Sequence, residues 1–493
     1  MPSSTPVANY SSSVATGEGP RQRSGAAIWI WAIVALGAVL RLIALGHKSF
    51  WLDEIASVEI TLLPAAAFWR MLWHAESNMA LYYILLRPWL HFGVTEASVR
   101  LLSAVAGIAC VPLMYVLGKR LFGPTTARLA ALFFALNACA IWVAQEARGY
   151  SLLLLFVIVS TYLLVRLVER PTLAMACAYG VVTGLTLYCH YFGLFVPAAQ
   201  AISLMALAPR RWKWKPFTIA AAIIVLAALP VLWMIHLADI GHITWVERTS
   251  LLEVYHLGVY LAAGGGKALG AMLLLLDLVL LALFLWALKG LWRDGDDDLR
   301  RWRYVLVASG FLAPLIIVLL ISIVQPIFYH RFLIIGLPAW VLMTSAGAEQ
   351  IRPRAWRTVA IAGVCGLSLV CVVTSYSRVQ EDWRGVTRYL IAQARPDDRV
   401  LYYQREGYFA VENYRNWLPG GNAPRPPGVT VGPGSSDWEK QLDSAQRVWQ
   451  VLYRAKPDDP VAQSIEATLG QRYKLEQQVA FRAVTVTEYV VRR

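Results

Sequence analysis

Charge is the scarcest thing in this sequence. Asp, Glu, Lys and Arg make up 15% of it, where a soluble domain carries roughly 25%. A chain of 493 residues that is 58% hydrophobic has too little charge to cover a globule in water. The composition excludes an ordinary soluble enzyme and indicates a polytopic membrane protein with a smaller soluble part. Cysteine is sparse too. Cys110, Cys139, Cys177, Cys189, Cys365 and Cys371 lie in or beside apolar runs, none in a CxxC or other metal spacing. They read as small core residues. Acidic residues are outnumbered, 31 against 45 basic, for a net charge of +14. In a soluble protein that excess would suggest nucleic acid. Here the basic residues cluster between apolar runs, which is the positive-inside pattern of membrane proteins, and no nucleic-acid partner is expected.

What the sequence does have is long apolar runs. A spanning helix needs about 20 mostly apolar residues. Eleven segments are expected to cross: 26–46, 97–117, 127–143, 152–167, 173–188, 192–208, 217–235, 269–288, 304–324, 332–348 and 359–374. Residues 1–24 are rich in Ser, Thr, Pro and Gly and read as a disordered cytoplasmic tail. The first run is too long for a signal-peptide core and should remain as a helix. Residues 54–74 and 81–92, rich in Trp and Leu with scattered charge, read as interfacial helices in the first outer loop. With the N-terminus cytoplasmic, the connections 118–126, 166–172, 209–216, 289–303 and 350–357 fall inside and hold nearly all the Lys/Arg clusters. One assignment thus satisfies every loop, and it leaves the C-terminus outside.

From residue 375 the composition changes. Segment 382–394 reads as a helix, 399–403 and 447–453 as strands, 419–436 as a Gly/Pro loop, 461–469 as a helix and 475–491 as a closing hairpin. The expected fold is a polytopic α-helical membrane domain over 25–374 and a small α/β domain over 375–493 on the outer side.

The unusual polar residues gather on that outer face, and an ionisable group near a bilayer is a functional candidate because it is expensive. Ser49-Phe50-Trp51-Leu52-Asp53-Glu54 places two adjacent carboxylates against aromatic residues that belong at a membrane surface. Asp53 and Glu54 are the leading catalytic candidates, since a carboxylate can take the proton of a hydroxyl and make it a nucleophile. The plain alternative is that Asp53 caps a helix. Glu146 and Arg148 stand at the outer end of the third run. Glu146 is a third acid, and Asp53 with Glu146 could instead hold a divalent cation such as Mg, Mn or Ca. Arg148 has the planar fork that grips phosphate. His190-Tyr191 follow the fifth run. Lys267 follows three glycines but lacks the P-loop spacing. His330-Arg331 put positive charge where the inside bias would exclude it, which suggests phosphate contact. Acids for a nucleophile beside cations for a phosphate suit a sugar delivered on a lipid phosphate.

The segments Phe50-Trp51-Leu52-Asp53-Glu54, Leu81-Tyr82-Tyr83-Ile84-Leu85-Leu86, Arg100-Leu101-Leu102-Ser103, Gln145-Glu146-Ala147-Arg148-Gly149-Tyr150, His190-Tyr191-Phe192, Tyr329-His330-Arg331-Phe332-Leu333 and Asp382-Trp383-Arg384-Gly385 resemble those of bacterial glycosyltransferase family 39. That family lies within the C-type superfamily that includes protein O-mannosyltransferases and the lipid A aminoarabinose transferase. The resemblance covers roughly residues 26–400. It implies a polyprenyl-phosphate-linked sugar as donor, a lipid, glycan or protein hydroxyl as acceptor, and transfer on the outer face of a bacterial cytoplasmic membrane. It sets the family's first-loop aspartate on Asp53 and its second-loop acid on Glu146, with Tyr82, Arg148, Tyr150, His190, Tyr191, Lys267, His330 and Arg331 as substrate-binding candidates. One departure stands out: relatives commonly carry His-Pro-Pro where this chain has Asn78-Met79-Ala80. The competing functions are a flippase for lipid-linked sugars, against which the lack of an internal repeat argues, and a non-catalytic envelope assembly protein.

Overall fold

Every stretch of the chain that is apolar for a dozen residues or more is helical, as the need to satisfy backbone groups away from water requires. The computed structural model describes residues 20–492 apart from 209–210, 238–245, 247, 266–269, 292–297, 379, 433–434, 436 and 457. Helix α1 (Pro20–Leu42) begins inside the segment expected to be a tail. The stretch expected to be interfacial forms α2 (Leu52–Leu62), α3 (Ala65–His74) and α4 (Ala80–Trp89). The membrane part continues through α5 (Glu96–Leu121), α6 (Pro124–Leu136), α7 (Ala138–Ala144), α8 (Tyr150–Glu169), α9 (Leu173–Cys189), α10 (Phe195–Leu204), α11 (Trp214–Leu237), α12 (Leu251–Ala263), α13 (Gly270–Ala287), α14 (Asp298–Val324), α15 (Leu337–Gln350) and α16 (Arg354–Tyr376).

Among the described residues, seven helices are long and apolar enough to cross a membrane, and α6 with α7 makes an eighth if that bent pair is one span. The chain is therefore a multi-pass membrane protein. Three of the eleven expected segments meet shorter apolar helices, Ile28–Leu42, Leu173–Cys189 and Tyr191–Leu204. A fourth short apolar helix, α12, lies between the expected spans 217–235 and 269–288.

The break in the third run has a local cause. α6 and α7 meet at 56°, and Asn137 sits at the joint in extended conformation. Its Oδ1 accepts from the Ala140 amide at 2.8 Å and its Nδ2 donates to the Leu261 carbonyl at 2.8 Å. Ending α6 there orphans its last carbonyls. Arg41, wholly buried at the end of α1, donates to the carbonyls of Phe134 and Ala135 at 3.1 and 3.2 Å. That break puts α7 and the segment after it beside the start of α2, where the Ala147 amide meets Glu54.

The C-terminal part is an α/β unit. α17 (Trp383–Gln393), α18 (Arg405–Trp417) and α19 (Pro460–Arg472) pack on a sheet of β1 (Arg399–Tyr403), β2 (Gly428–Val431), β3 (Arg447–Tyr453), β4 (Tyr473–Phe481) and β5 (Val484–Val491). The order is β2-β1-β3-β5-β4, with β2, β1 and β3 parallel and β5 and β4 antiparallel. The sequence reading placed β1 and β3, the helices near 382–394 and 461–469, and the hairpin. It took 419–436 for loop throughout, where β2 forms, and passed over α18. Period-2 alternation explains the packing. Val400, Tyr402, Trp449 and Val451 join the core that continues into the helical domain. Leu401, Tyr403, Val448 and Leu452 face a second core with Ile465 and Leu469 of α19.

Candidate functional site

The site is assembled around residues 46–54, which are gripped from two sides. From the helical domain comes Arg100 of α5. Its Nε and Nη2 bind the two oxygens of Glu54 at 2.8 and 2.6 Å. Its remaining hydrogens go to the carbonyls of Leu45, Lys48 and Ser49 at 3.1, 2.8 and 2.9 Å. A planar fork can satisfy a carboxylate and three carbonyls at once, which a lysine could not. Glu54 itself is fully buried. It also accepts from the Trp51 amide at 3.3 Å and the Ala147 amide at 2.7 Å. One carboxylate therefore starts α2 and fastens it to the segment between α7 and α8.

The other grip comes from the C-terminal domain. Glu381, buried, accepts from the Leu52 amide at 2.9 Å, Trp383 Nε1 at 2.6 Å, Tyr453 Oη at 2.7 Å and Arg454 Nη2 at 2.9 Å. The Phe50 amide donates to Tyr414 Oη at 2.6 Å, and Tyr414 Oη donates to Glu96 at 2.8 Å. Arg384 donates to the Gly46 carbonyl at 3.3 Å and pairs with Glu96 at 3.2 Å.

Between these grips Asp53 is left open. Its side chain is 43% exposed, on the first turn of α2, and Arg148 Nη2 stands 3.7 Å from its carboxylate. Arg148 also reaches the Asp53 carbonyl and Ser57 Oγ, both at 3.4 Å. The helix cap is Trp51, not Asp53. Glu146 is buried. One of its oxygens pairs with Arg331, and the other accepts from Gln380 Nε2 at 3.1 Å. Burial pushes the Glu146 carboxyl upward, and Arg331 opposes that. The Arg331 guanidinium lies over the rings of Trp51 and Tyr150 at 5.0 and 4.7 Å. Segments far apart in sequence, around 53, 146–150, 331 and 380, thus meet at one place.

Two expectations change. Glu54, expected to be catalytic, has both oxygens committed to Arg100 and two amides and is shut from solvent, so it is a structural strut. The divalent-cation expectation does not fit the donor set. Both oxygens of Glu146 are engaged, two arginines stand beside the acids, and no group of three or more His, Cys, Asp or Glu gathers as a metal requires among the described residues.

Other candidates hold the walls. His190 Nδ1 accepts from the Phe192 amide at 3.1 Å, with Tyr150 and Phe332 packed on its ring at 5.6 and 4.9 Å. Burial, with Arg148 and Arg331 adding to it, lowers its pKa to about 3, so it is neutral. Tyr82 is buried with its hydroxyl 3.3 Å from Ser103 Oγ, and Ser103 donates to the Arg148 carbonyl at 3.1 Å. Tyr191 bonds Ser77 through its hydroxyl. Asn78-Met79-Ala80, the departure from His-Pro-Pro, braces the same wall. Asn78 accepts from the Tyr191 amide at 3.0 Å, and Met79 takes a left-handed conformation with φ 72° against Gly149. A β-carbon on Gly149 would sit 3.0 Å from the Cys189 carbonyl oxygen and 3.4 Å from Met79 Cβ, so the backbone there is closely packed. His330 stands 3.6 Å from Glu253, which lies 3.3 Å from His256. Lys267 lies outside the described residues.

Sequence reasoning missed Arg100 and Glu381 as determinants of the site. Arg100 carried a signal, a charge within an apolar segment. Glu381 stood beside the quoted Asp382-Trp383-Arg384-Gly385 and could have been suspected only from that neighbourhood.

Residues 60–234 match the family model of the dolichyl-phosphate-mannose-protein mannosyltransferases. YkcB of Bacillus subtilis (strain 168), a candidate mannosyltransferase, is 33% identical over 144 residues, 29% of this chain and 20% of its own length. The match thus spans about a fifth of that relative. Among solved structures, ArnT from Cupriavidus metallidurans bound to undecaprenyl phosphate is similar with a TM-score of 0.58 and 12% identity, over 93% of this chain and 98% of that one. The archaeal oligosaccharyltransferase AglB from Archaeoglobus fulgidus, in complex with an inhibitory peptide and a dolichol-phosphate, gives 0.54 and 10%, over 88% and 70%. At such identities the structures establish a shared fold. The family resemblance read from the sequence is borne out by the family match and by YkcB, and the solved structures share the fold.

Proposed function

We propose that the protein is a glycosyltransferase that moves a sugar from a polyprenyl-phosphate donor to a hydroxyl acceptor, on the outer face of a bacterial cytoplasmic membrane. The observation that carries the reading is the contrast between Asp53, open to solvent beside Arg148, and the fully engaged acids around it. Asp53 takes the proton of the acceptor hydroxyl. The acceptor oxygen bonds to the anomeric carbon as the bond from that carbon to the phosphate oxygen breaks. The electron pair leaves with the lipid phosphate, and a single displacement inverts the configuration. Arg148, which keeps an unpartnered buried Nε among the described residues, stabilises the phosphate as its charge grows. Arg331 adds to that field, and Glu146 holds Arg331 in place and steadies the positive charge developing on the sugar. No step passes through a metal. Mannose, named for the family model and for YkcB, is the first donor sugar to test.

The test uses full-length protein in lipid, a polyprenyl-phosphate mannose donor and a panel of lipid, glycan and peptide acceptors. Asp53→Asn is expected to lower kcat by about 10²–10⁴, and Glu146→Gln by about tenfold or more through loss of the Arg331 anchor. Full turnover in both variants would defeat the assignment. Transport of the donor across the bilayer without any transfer product would favour a flippase.

A further inference from the structure

Glu146 also lines a small open cleft, together with Lys48, Trp51, Glu54, Arg100, Trp142 and Arg378 among others. Asp53, Arg148 and Arg331 do not line it. Its charges do not cancel. Glu54 is neutralised by Arg100 and Glu146 by Arg331. Two cations remain, Lys48 and Arg378, and neither has a carboxylate partner among the described residues. Lys48 Nζ donates to the Ser375 carbonyl at 2.9 Å and sits 4.6 Å over the Trp142 ring. Arg378 Nη1 donates to the Gly264 carbonyl at 3.2 Å. Trp51 Nε1, also at this wall, is a buried donor with no partner among the described residues. Two half-buried cations held against carbonyls, beside an unused donor, lack only an oxyanion to complete them.

We propose that this cleft is a second subsite that binds a carboxylate or phosphate group carried by the acceptor, and so selects acidic or phosphorylated glycans. The inference rests on the transferase reading for the word acceptor, while the cleft itself is judged by binding alone. Glu146 touches both cationic groups, since it pairs with Arg331 and also lines the cleft that holds Lys48 and Arg378. The donor phosphate belongs with Arg148 and Arg331 near Asp53, and the acceptor's anion belongs with Lys48 and Arg378, whose connection leads into the C-terminal domain. Burial, then the neighbouring Arg100, brings the Lys48 amine down to about 8, with Arg378 lowering it further and Glu146 and Glu54 opposing. Lys48 is charged at neutral pH and loses its charge within the range of an ordinary titration.

The experiment is calorimetric titration of the full-length protein with three soluble probes, mannose 6-phosphate, glucuronate and mannose, and with a short-chain polyprenyl phosphate. The two anionic probes are expected to bind at least tenfold more tightly than mannose. Lys48→Met and Arg378→Gln should each abolish that preference, Lys48→Arg should keep it, and raising the pH from 7 to 9 should weaken it in the wild type and not in Lys48→Arg. Polyprenyl phosphate should bind all variants equally. Thermal melting of each variant identifies misfolding, and Lys48→Arg remains decisive if Lys48→Met is unstable. Equal binding of mannose and the anionic sugars overturns the proposal. So does a loss of polyprenyl phosphate affinity in Lys48→Met and Arg378→Gln, which would make the cleft the donor's phosphate site. Either result leaves the Asp53 assignment standing, because that is read from turnover.

Discussion

Asp53 and Glu54 are neighbours in sequence and opposites in circumstance. Glu54 is closed off, its two oxygens committed to Arg100 and to the amides of Trp51 and Ala147. Asp53 has one cation at 3.7 Å and is 43% exposed. A residue's place on the first turn of a helix, one face inward and the next outward, decides which carboxylate holds the fold and which is free to react. The same division runs through the surrounding groups. Arg100 is saturated by carbonyls and a carboxylate, whereas Arg148 retains an unpartnered Nε among the described residues. The buried side spends its polar groups on structure, and the open side keeps them available.

Breaking the buried side should have the largest effect on stability. Arg100→Met leaves Glu54 as an uncompensated buried charge, a loss of about 3–5 kcal/mol, checked by chemical unfolding of the protein in detergent. Arg100→Met with Glu54→Leu should recover much of that, because removing both charges removes the penalty. Next comes the grip from the C-terminal domain. Glu381→Ala strands the Leu52 amide, Trp383 Nε1 and Tyr453 Oη, at about 1–3 kcal/mol. It should lower kcat more than it raises KM, because Leu52 starts the helix that aims Asp53. An unchanged kcat in Glu381→Ala would separate the C-terminal domain from the chemistry.

The smallest effect sharpens the electrostatic side of the comparison. His190 stays neutral in the folded protein down to about pH 3, against an ordinary value of 6.5. An unfolded chain takes up that proton first. The unfolded state therefore binds more protons between those two values, and stability falls as pH drops from 6.5 toward 3. His190→Asn, whose side-chain oxygen can still accept from the Phe192 amide, should flatten that slope in melting curves measured from pH 7 to pH 4. The activity profile over pH 6 to 8 should show no limb from His190.

How much of this could be read from the chain depended on where the information lay. Apolar length and basic clusters gave the helical membrane class, since both are properties of consecutive residues. The bend at Asn137 was hidden, because it rests on Arg41 reaching the carbonyls of Phe134 and Ala135 from another helix. Asp53, Glu146, Arg148 and Arg331 were legible as charges out of place near a bilayer. Their roles were not, because the partner that closes Glu54 lies 46 residues away and the one that shares Glu146 lies 234 away. The α/β domain was legible through its alternating strands β1 and β3. Helix α18 and strand β2 escaped because α18 is polar on average and β2 is a four-residue edge strand in a Gly/Pro segment.

The most direct measurement is a side-by-side comparison of Asp53→Asn and Glu54→Gln, with turnover of a polyprenyl-phosphate sugar and the melting temperature recorded on the same preparations. Asp53→Asn should melt within a degree or two of the wild type and lose about 10²–10⁴ in kcat, while Glu54→Gln should melt well below it. A fully active Asp53→Asn protein, or an inactive Glu54→Gln protein as stable as the wild type, would contradict the account.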